Sequence, residues 1–359
     1  MKKAILMLED GLCFVGRSEG QFKERIGEVI FNTAVVGYQE MATDPANVGK
    51  ILVLTYPLIG NYGIAKKFNE SRKSWLAGLV IKEKSNIFSN WQAKESFGQF
   101  IEKQELPTIE EMDTRSLALC LREKGQMLAI VSTADNTPKE LLTKIYNFKK
   151  EHVPDYLSKI SITKMTCLAK KGKKIAVLDL GIKNSTLKQL EALGLSVYLF
   201  PYQAKAEEIL KIKPCGLIIS SGPEEDIALP KVAENIKKLI GAIPILGISC
   251  GMQVLALGLG AKIQKMKLGH HGCNYPVYTP GSYKAEITVQ NHSYVIDAGS
   301  LNKIKDVKIT GYNLNDRTIE EMESKKLKFI GIQYEPASPG FGEVNNIFRK
   351  FLKYSIRSK

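Results

Sequence analysis

The sequence contains few of the residues on which several kinds of functional site depend. It has only four histidines and six cysteines in 359 residues, and none of the cysteines stands in a C-x-x-C pair. We therefore expect no metal site on this chain. Scattered, unpaired cysteines are typical of free thiols in a reducing compartment, so we expect the protein to be cytoplasmic.

Long apolar runs are missing as well. No run reaches the ~18 residues that a membrane-spanning helix requires. The apolar run near the start follows a basic pair, but Glu9 and Asp10 interrupt it too early for a signal peptide. We expect no membrane partner.

Arginine is scarce although the chain is basic. The formal net charge is +14, yet only eight of the 51 basic residues are arginine. Arginine is the residue that most often forms bidentate hydrogen bonds with base edges and phosphates. The lysines are dispersed and are not interleaved with aromatic residues that would stack on bases. We expect a solvated, lysine-rich surface and no nucleic-acid partner, although the charge is compatible with an acidic protein partner.

The length and the periodicity indicate two domains of different kinds. Residues 1–148 contain short strand patterns separated by turns and read as a β-rich, mixed domain. Residues 149–172 are polar, basic and aperiodic, and we place the linker there. Residues 173–359 begin with alternating strand and helix patterns, which predict a parallel, doubly wound sheet with its site at the carboxyl ends of the strands.

The segment Pro244–Ala261 has the pattern of a strand, a tight turn and a helix. Ile245–Ile248 is an apolar strand, Ser249 stands at the turn, and a helical apolar run begins at Gly251. Such an elbow holds its central side chain at the end of a sheet, beside the amide dipoles of a helix start. Ser249 is therefore a candidate nucleophile, while an ordinary buried strand–helix junction is the alternative interpretation.

The same segment resembles the nucleophile elbow of class I glutamine amidotransferases, specifically the small chains of carbamoyl-phosphate synthetases. Their pattern G-I-C-L-G-H-Q reads here as Gly247-Ile248-Ser249-Cys250-Gly251-Met252-Gln253. Ser249 therefore stands at the position of the family's nucleophilic cysteine, and Cys250 stands one residue late.

Segments of the first domain resemble the N-terminal domain of the same small chains. The matching segments are Leu8-Glu9-Asp10-Gly11, Phe31-Asn32-Thr33, Gly37-Tyr38-Gln39-Glu40, Thr43-Asp44-Pro45, Thr55-Tyr56-Pro57 and Asp113-Thr114-Arg115. The resemblance implies an α/β protein in which a β-rich mixed N-terminal domain precedes a doubly wound class I glutamine amidotransferase domain. It also implies a large-chain partner that carries ATP and Mg, no cofactor on this chain, and glutamine or ammonia as the nitrogen source.

The position of the family's general base is also altered. In the family, a histidine and the glutamate that orients it lie in a Q-x-H-P-E segment before A-S-P-G. Here Glu335 stands at the histidine position, and a one-residue deletion removes the glutamate, so that Ala337 follows Pro336 directly. A carboxylate is a weaker base than imidazole and cannot relay a proton in the same way.

The resemblance places further residues in the glutamine pocket. Glu224 replaces a glycine whose backbone approaches the substrate, and its carboxylate is expected to crowd glutamine and repel the α-carboxylate. Ala46 and Ser293 replace a serine and a glycine. The family pattern is kept at Gly222, Gln253, Asn291, Tyr294 and the backbone of Cys250.

These observations favour a carbamoyl-phosphate synthetase small chain whose own glutaminase step has been lost. Such a pseudoenzyme would support ammonia-dependent synthesis for arginine or pyrimidine pathways, or act as a structural or regulatory subunit. Two alternatives remain open. One is a working glutaminase with Cys250 as a displaced nucleophile, and the other is a stand-alone binding module.

Overall fold

The computed structural model describes residues 2–19, 24–168, 172–340 and 342–356. The chain forms two compact units, one of Met1–Val153 with Lys267–His271, the other of Pro154–Met266 with Gly272–Lys359. Ala169–Lys171 of the predicted linker lie outside the described residues.

The first unit is organised around a sheet that closes on itself. Its strands are β1 (Lys3–Leu8), β2 (Cys13–Glu19), β3 (Glu24–Asn32), β4 (Lys50–Leu54), β5 (Leu58–Ile59), β6 (Gly78–Val80), β7 (Glu83–Lys84), β8 (Thr108–Glu110) and β9 (Leu128–Ser132). Its helices are α1 (Tyr38–Thr43), α2 (Phe97–Lys103), α3 (Thr114–Lys124) and α4 (Pro138–Glu151), with single 3₁₀ turns at Pro45–Asn47 and Lys66–Phe68. The closed order is β1-β2-β8-β6-β4-β3-β9, while β5 and β7 form a separate pair.

The second unit alternates strands and helices along the chain. Its helices are α5 (Leu157–Ile160), α6 (Asn184–Ala192), α7 (Ala206–Lys211), α8 (Leu229–Lys237), α9 (Cys250–Gly258), α10 (Ala298–Leu301) and α11 (Asn346–Ile356). Its strands are β10 (Thr166–Cys167), β11 (Lys174–Asp179), β12 (Ser196–Pro201), β13 (Leu217–Ile219), β14 (Ile245–Ile248), β15 (Ile263–Tyr278), β16 (Ala285–Ile296), β17 (Lys308–Asn313), β18 (Ile319–Ser324) and β19 (Phe329–Ile332).

The second unit is built around a ten-stranded sheet, whose strand order is β10-β12-β11-β13-β14-β19-β18-β17-β15-β16. The five strands from β12 to β19 in this order pair in parallel. Successive side chains of β11 enter different apolar clusters, because neighbouring residues of a strand face opposite sides. One cluster includes residues of α7, α8 and α9, and the other includes residues of α6 and α11. Helices therefore cover both faces, and the prediction of a doubly wound domain after a β-rich mixed domain is confirmed.

Several local predictions match the structure closely. The helix α3 begins directly after Asp113, whose carboxylate accepts a hydrogen bond from the Ser116 amide at 3.0 Å. It ends at Gly125, whose φ of 100° suits glycine. The strand at Ile245–Ile248 is β14, and the helix that follows it is α9.

The segment 149–172 has more structure than its aperiodic composition indicated. Its first residues complete α4, which starts at a capping box formed by Thr137 and Glu140. Further on it contains α5, and β10 pairs antiparallel with β12 at the edge of the sheet. The segment shows no clear periodicity of apolar residues because α5 and β10 are only four and two residues long.

Candidate functional site

The elbow between β14 and α9 places Ser249 at the carboxyl end of the parallel strands. Ser249 has φ 52° and ψ −116°, a strained conformation for a residue with a side chain, and it is almost fully buried. Its amide donates to the Ile332 carbonyl of β19 at 2.7 Å, and its carbonyl accepts from the Met252 amide at 2.9 Å. A Cβ on Gly251 would lie 2.1 Å from the Ile219 carbonyl oxygen, so only glycine fits there. The predicted sharp turn is therefore present.

Cys250, the next residue, is fully buried in the core of the second unit. Its Sγ lies 3.4 Å from the carbonyl oxygen of Pro223, to which the thiol donates. Burial among apolar side chains and a hydrogen bond to a backbone carbonyl are typical of a structural cysteine.

The loop after β13 brings Glu224 against the pocket residues. Gly222 allows the loop to pass close to the backbone, because a Cβ there would lie 1.9 Å from the Leu180 carbonyl oxygen. The Glu224 side chain is 6% exposed. Its carboxylate accepts from Gln253 Nε2 at 2.5 Å, from the Ser293 amide at 2.6 Å and from the Tyr294 amide at 3.4 Å. The carboxylate of Glu224 thus joins three of the predicted pocket positions.

Glu225 and Asp226 hold the same loop from two other directions. Glu225 accepts hydrogen bonds from the Tyr294 hydroxyl at 2.8 Å and from Lys265 Nζ at 2.6 Å. Asp226 accepts from the amide of Leu157 at 2.7 Å, at the start of α5. The position of Glu224 is therefore fixed by its neighbours in sequence as well as by its own contacts.

Glu335 is buried and forms an ion pair with Lys183. Its exposed fraction is 6%, and Lys183 Nζ lies 3.4 Å from its Oε2. The Glu335 amide donates to the Val289 carbonyl at 2.8 Å, which joins this segment to β16. Sequence reasoning missed Lys183, although its place just after the end of β11 and before α6 indicates the edge of the sheet where the site lies.

Asp179 fixes the turn that leads to Lys183. One carboxylate oxygen accepts from the amides of Gly181 and Ile182, both at 2.9 Å, and the other accepts from the Ile162 amide at 2.8 Å. Burial raises the pKa of Asp179, and the hydrogen bonds from these amides oppose that rise. The turn is thus held by side-chain to backbone bonds at the carboxyl end of β11.

Tyr334 anchors the segment before Glu335. Its hydroxyl donates to Glu321 Oε1 at 2.6 Å. Burial, together with the negative charge of Glu321, raises the pKa of Tyr334 well above its usual value, so the hydroxyl keeps its proton as a donor.

The shortened loop after Glu335 is held by its carbonyl groups. Gln189 Nε2 donates to the Pro336 carbonyl at 2.9 Å, and Asn345 Nδ2 donates to the Ala337 carbonyl at 2.9 Å. Ala337 is exposed, and its amide donates to the Glu335 carbonyl at 2.8 Å. The loop is therefore closed by hydrogen bonds to its backbone carbonyl groups.

The remaining predicted positions lie in separate places. Ala46 lies in the first unit, in a 3₁₀ turn, where its amide donates to Asp44 Oδ1 at 2.9 Å. Asn291 lies in β16 and is half-buried. His292, the next residue, also lies in β16, with Nε2 2.8 Å from Gln290 Oε1.

Comparison with known proteins defines first the class and then the family. The model of class-I glutamine amidotransferases matches residues 176–354, and that of the carbamoyl-phosphate synthase small chain, CPSase domain, matches residues 6–131. Together with the relatives described next, these matches show that the chain belongs to the family of carbamoyl phosphate synthase small chains.

Curated relatives match over nearly the whole chain. A carbamoyl phosphate synthase small chain of Listeria innocua is 38% identical over 355 residues, covering 98% of this chain and 97% of that protein. One of Clostridium perfringens is 36% identical, covering 99% of this chain and 100% of that protein. A carbamoyl phosphate synthase pyrimidine-specific small chain of Halalkalibacterium halodurans is 37% identical, covering 99% and 98%. Within the described ranges, no helix is long and apolar enough to cross a membrane.

Proposed function

We propose that this chain is the small subunit of a carbamoyl-phosphate synthase and that its own glutaminase step has been lost. Membership of the small-chain family supports the first part. The observation that carries the second part is the buried ion pair between Glu335 and Lys183, which stands where the family places its catalytic histidine. Ser249 at the apex of the elbow, in place of the family's cysteine, supports the same conclusion.

Removal of ammonia from glutamine is an acyl transfer, and its requirements are demanding. The reaction needs an activated nucleophile, a base that takes its proton, a group that orients the base, and donors for the oxyanion. A serine hydroxyl is activated only by an adjacent base. A carboxylate that is already paired with a buried lysine is poorly suited to take and return that proton, because the ammonium group stabilises its charged form.

The contacts of Cys250 argue against the displaced-nucleophile alternative. Its thiol is fully buried and donates to the Pro223 carbonyl. Attack on an amide would require the thiolate to leave this contact and turn out of the core. The scaffold of the elbow is retained while the groups that perform its chemistry are replaced.

The proposed role is that of a partner for the large, ATP-using chain. ATP and Mg would be bound by that chain, with no cofactor on this one, and the nitrogen would enter as ammonia. In this role the small chain acts as a structural or regulatory subunit in the cytoplasm, for arginine or pyrimidine synthesis.

The deciding experiment compares nitrogen sources with the large chain present. We expect carbamoyl phosphate to form with ammonium chloride and not with glutamine. Glutamate release should equal that of a Ser249→Ala/Cys250→Ala double variant, which is the matched control. Glutamine-dependent synthesis that disappears in this double variant would overturn the loss of the glutaminase step.

A further inference from the structure

We propose that Glu19 and Glu110 share one proton and, with Lys84, form a pH-sensitive clasp that holds β2, β7 and β8 together in the first unit. The clasp is closed while the shared proton is bound and loosens when that proton is lost. The inference goes beyond the proposed function, because it concerns the first unit alone and does not depend on the fate of the glutaminase step.

The strand register places the two carboxyl groups on one face of the closed sheet. β2 pairs antiparallel with β8, with Arg17 opposite Glu110 and Glu19 opposite Thr108. Because alternate residues of a strand face the same side, Glu19 and Glu110 are diagonal neighbours within reach of each other. Glu110 is 7% exposed, and its carboxyl group is hydrogen-bonded to that of Glu19. A carboxylate can only accept, so one member of the pair must carry a proton and donate it.

Lys84 adds one positive charge to this pair. Its Nζ lies 2.8 Å from Glu19 Oε1, and the two side chains are 16% and 18% exposed. Lys84 also packs against the start of α2, where a Cβ on Gly98 would lie 3.5 Å from Nζ. One ammonium group neutralises one carboxylate, so the cluster is neutral with one shared proton and negative without it. A net charge in a poorly hydrated place is unfavourable, which favours retention of the proton.

The other charged groups around the clasp do not alter this balance. Glu111, the residue after Glu110, forms an ion pair with Arg17 in which Oε2 and Nε are 2.9 Å apart. The strand β6, which lies on the other side of β8, carries no charged residue. The remaining charged residues on β1, next to Lys84 and in α2 are exposed to solvent: Lys3, Lys82, Glu83, Glu102 and Lys103.

The surroundings of Glu110 set the sign of the pH dependence. Burial, together with the hydrogen bond and the negative charge of Glu19, raises the pKa of Glu110 from 4.5 to about 7, and Lys84 opposes this rise. Glu110 therefore holds its proton more tightly in the folded protein than in the unfolded chain. The stability that the clasp contributes is complete below the unfolded pKa and is lost as the pH rises through about 7.

The clasp lies at a short junction of the closed sheet. β2 and β8 share three residue pairs within the described ranges, whereas β1 and β2 share five. Lys84 belongs to the separate pair of β5 and β7, so its ion pair with Glu19 also connects that pair to the closed sheet. Repulsion between two ionised carboxylates therefore acts where few backbone hydrogen bonds oppose it.

The test is hydrogen exchange of the full chain at several pH values, with protection of β2 and β8 expressed relative to the intrinsic exchange rate at each pH. In Glu110→Gln, the amide stands in for the protonated acid, and we expect protection equal to that of wild type at acidic pH. As the pH rises through neutrality, protection in the wild type should fall about tenfold relative to Glu110→Gln. The matched control is Glu83→Gln, which should follow the wild type because Glu83 is exposed.

Two further variants distinguish a shared proton from a merely structural role. Glu19→Gln removes the neighbouring negative charge, so the pH at which protection falls should move to lower values. Lys84→Gln removes the positive charge, so this pH should move to higher values. A structural role alone does not produce shifts in opposite directions.

A ratio of protection between wild type and Glu110→Gln that is the same at every pH would overturn the inference. If Glu110→Gln does not fold, carbon-13 NMR of the carboxyl groups in the wild type decides the question without a variant. We expect the pair to release its second proton near neutral pH. Titration of both Glu19 and Glu110 near the ordinary value of 4.5 would show that no proton is shared.

Discussion

Individual side chains decide what this site can do. Ser249, Glu335 and Glu224, which the proposed function places at altered family positions, are all buried. Glu335 forms an ion pair with Lys183, and Glu224 accepts hydrogen bonds from Gln253 and from the Ser293 amide. Groups that act together in acyl transfer show strongly non-additive effects, so repair of one position should gain little.

We therefore predict that Ser249→Cys alone does not restore glutaminase activity. The new thiol has no imidazole to activate it, and a carboxylate nearby tends to raise a thiol pKa. Measurable turnover should require Ser249→Cys, Glu335→His with a glutamate inserted after Pro336, and Glu224→Gly together. Steady-state glutamate release across this series, with folding checked for each protein, measures the effect. Turnover of ~1 s⁻¹ or more from Ser249→Cys alone would contradict the assignment.

At the scale of elements, the site depends on how closely α9 approaches β13. Gly251, in the first turn of α9, leaves no space for a side chain because the Ile219 carbonyl oxygen would be 2.1 Å from its Cβ. Ser249 connects β14 to α9, and the packing of α9 close to the sheet holds the Ser249 backbone in its strained conformation.

A methyl group at Gly251 should therefore separate α9 from β13. We predict that Gly251→Ala lowers the free energy of unfolding by ~3 kcal/mol, despite alanine's higher helix propensity, because backbone must move. Urea unfolding measures the change. Gly299→Ala in α10 is the control, since its new Cβ meets only Asp297 carboxylate oxygens at 3.6 Å and 3.8 Å. We expect this control to differ from wild type by less than ~1 kcal/mol, and equal losses in both variants would contradict the packing argument.

For the molecule as a whole, the important contrast is between the first and the second unit. The family model of the CPSase domain matches residues 6–131 of that unit. Several short segments of this unit resemble the family, whereas the resemblance places all the altered functional positions except Ala46 in the second unit. Retention of the first unit is the pattern expected of a chain that still associates with a partner.

We predict that the full chain co-purifies with the large chain of carbamoyl-phosphate synthase at micromolar concentration. The variant Ser249→Ala should associate equally well, because the change lies inside the pocket and removes only a buried hydroxyl. Co-purification and sedimentation of the mixed chains measure the association. Failure to associate while both chains are folded would favour the stand-alone binding module.

The sequence by itself determined the features that depend on neighbouring residues. The alternation of apolar strands and amphipathic helices predicted the doubly wound sheet, since each element's period reports which face is buried. Asp113 and Gly125 marked both ends of α3, because a cap bonds to amides only a few residues away. The strand, turn and helix around Ser249 were predicted from the local pattern of apolar residues on either side of the turn.

Only the tertiary structure decided which distant residues meet. The ion pair of Lys183 and Glu335 joins the start of α6 to the segment after β19, and the Glu224 carboxylate joins the loop after β13 to β16. The sequence predicted that Glu224 would crowd the pocket, but not that its carboxylate would engage the amides of Ser293 and Tyr294. Such contacts depend on the order of strands in the sheet and on where their ends converge, and no local pattern of residues encodes that order.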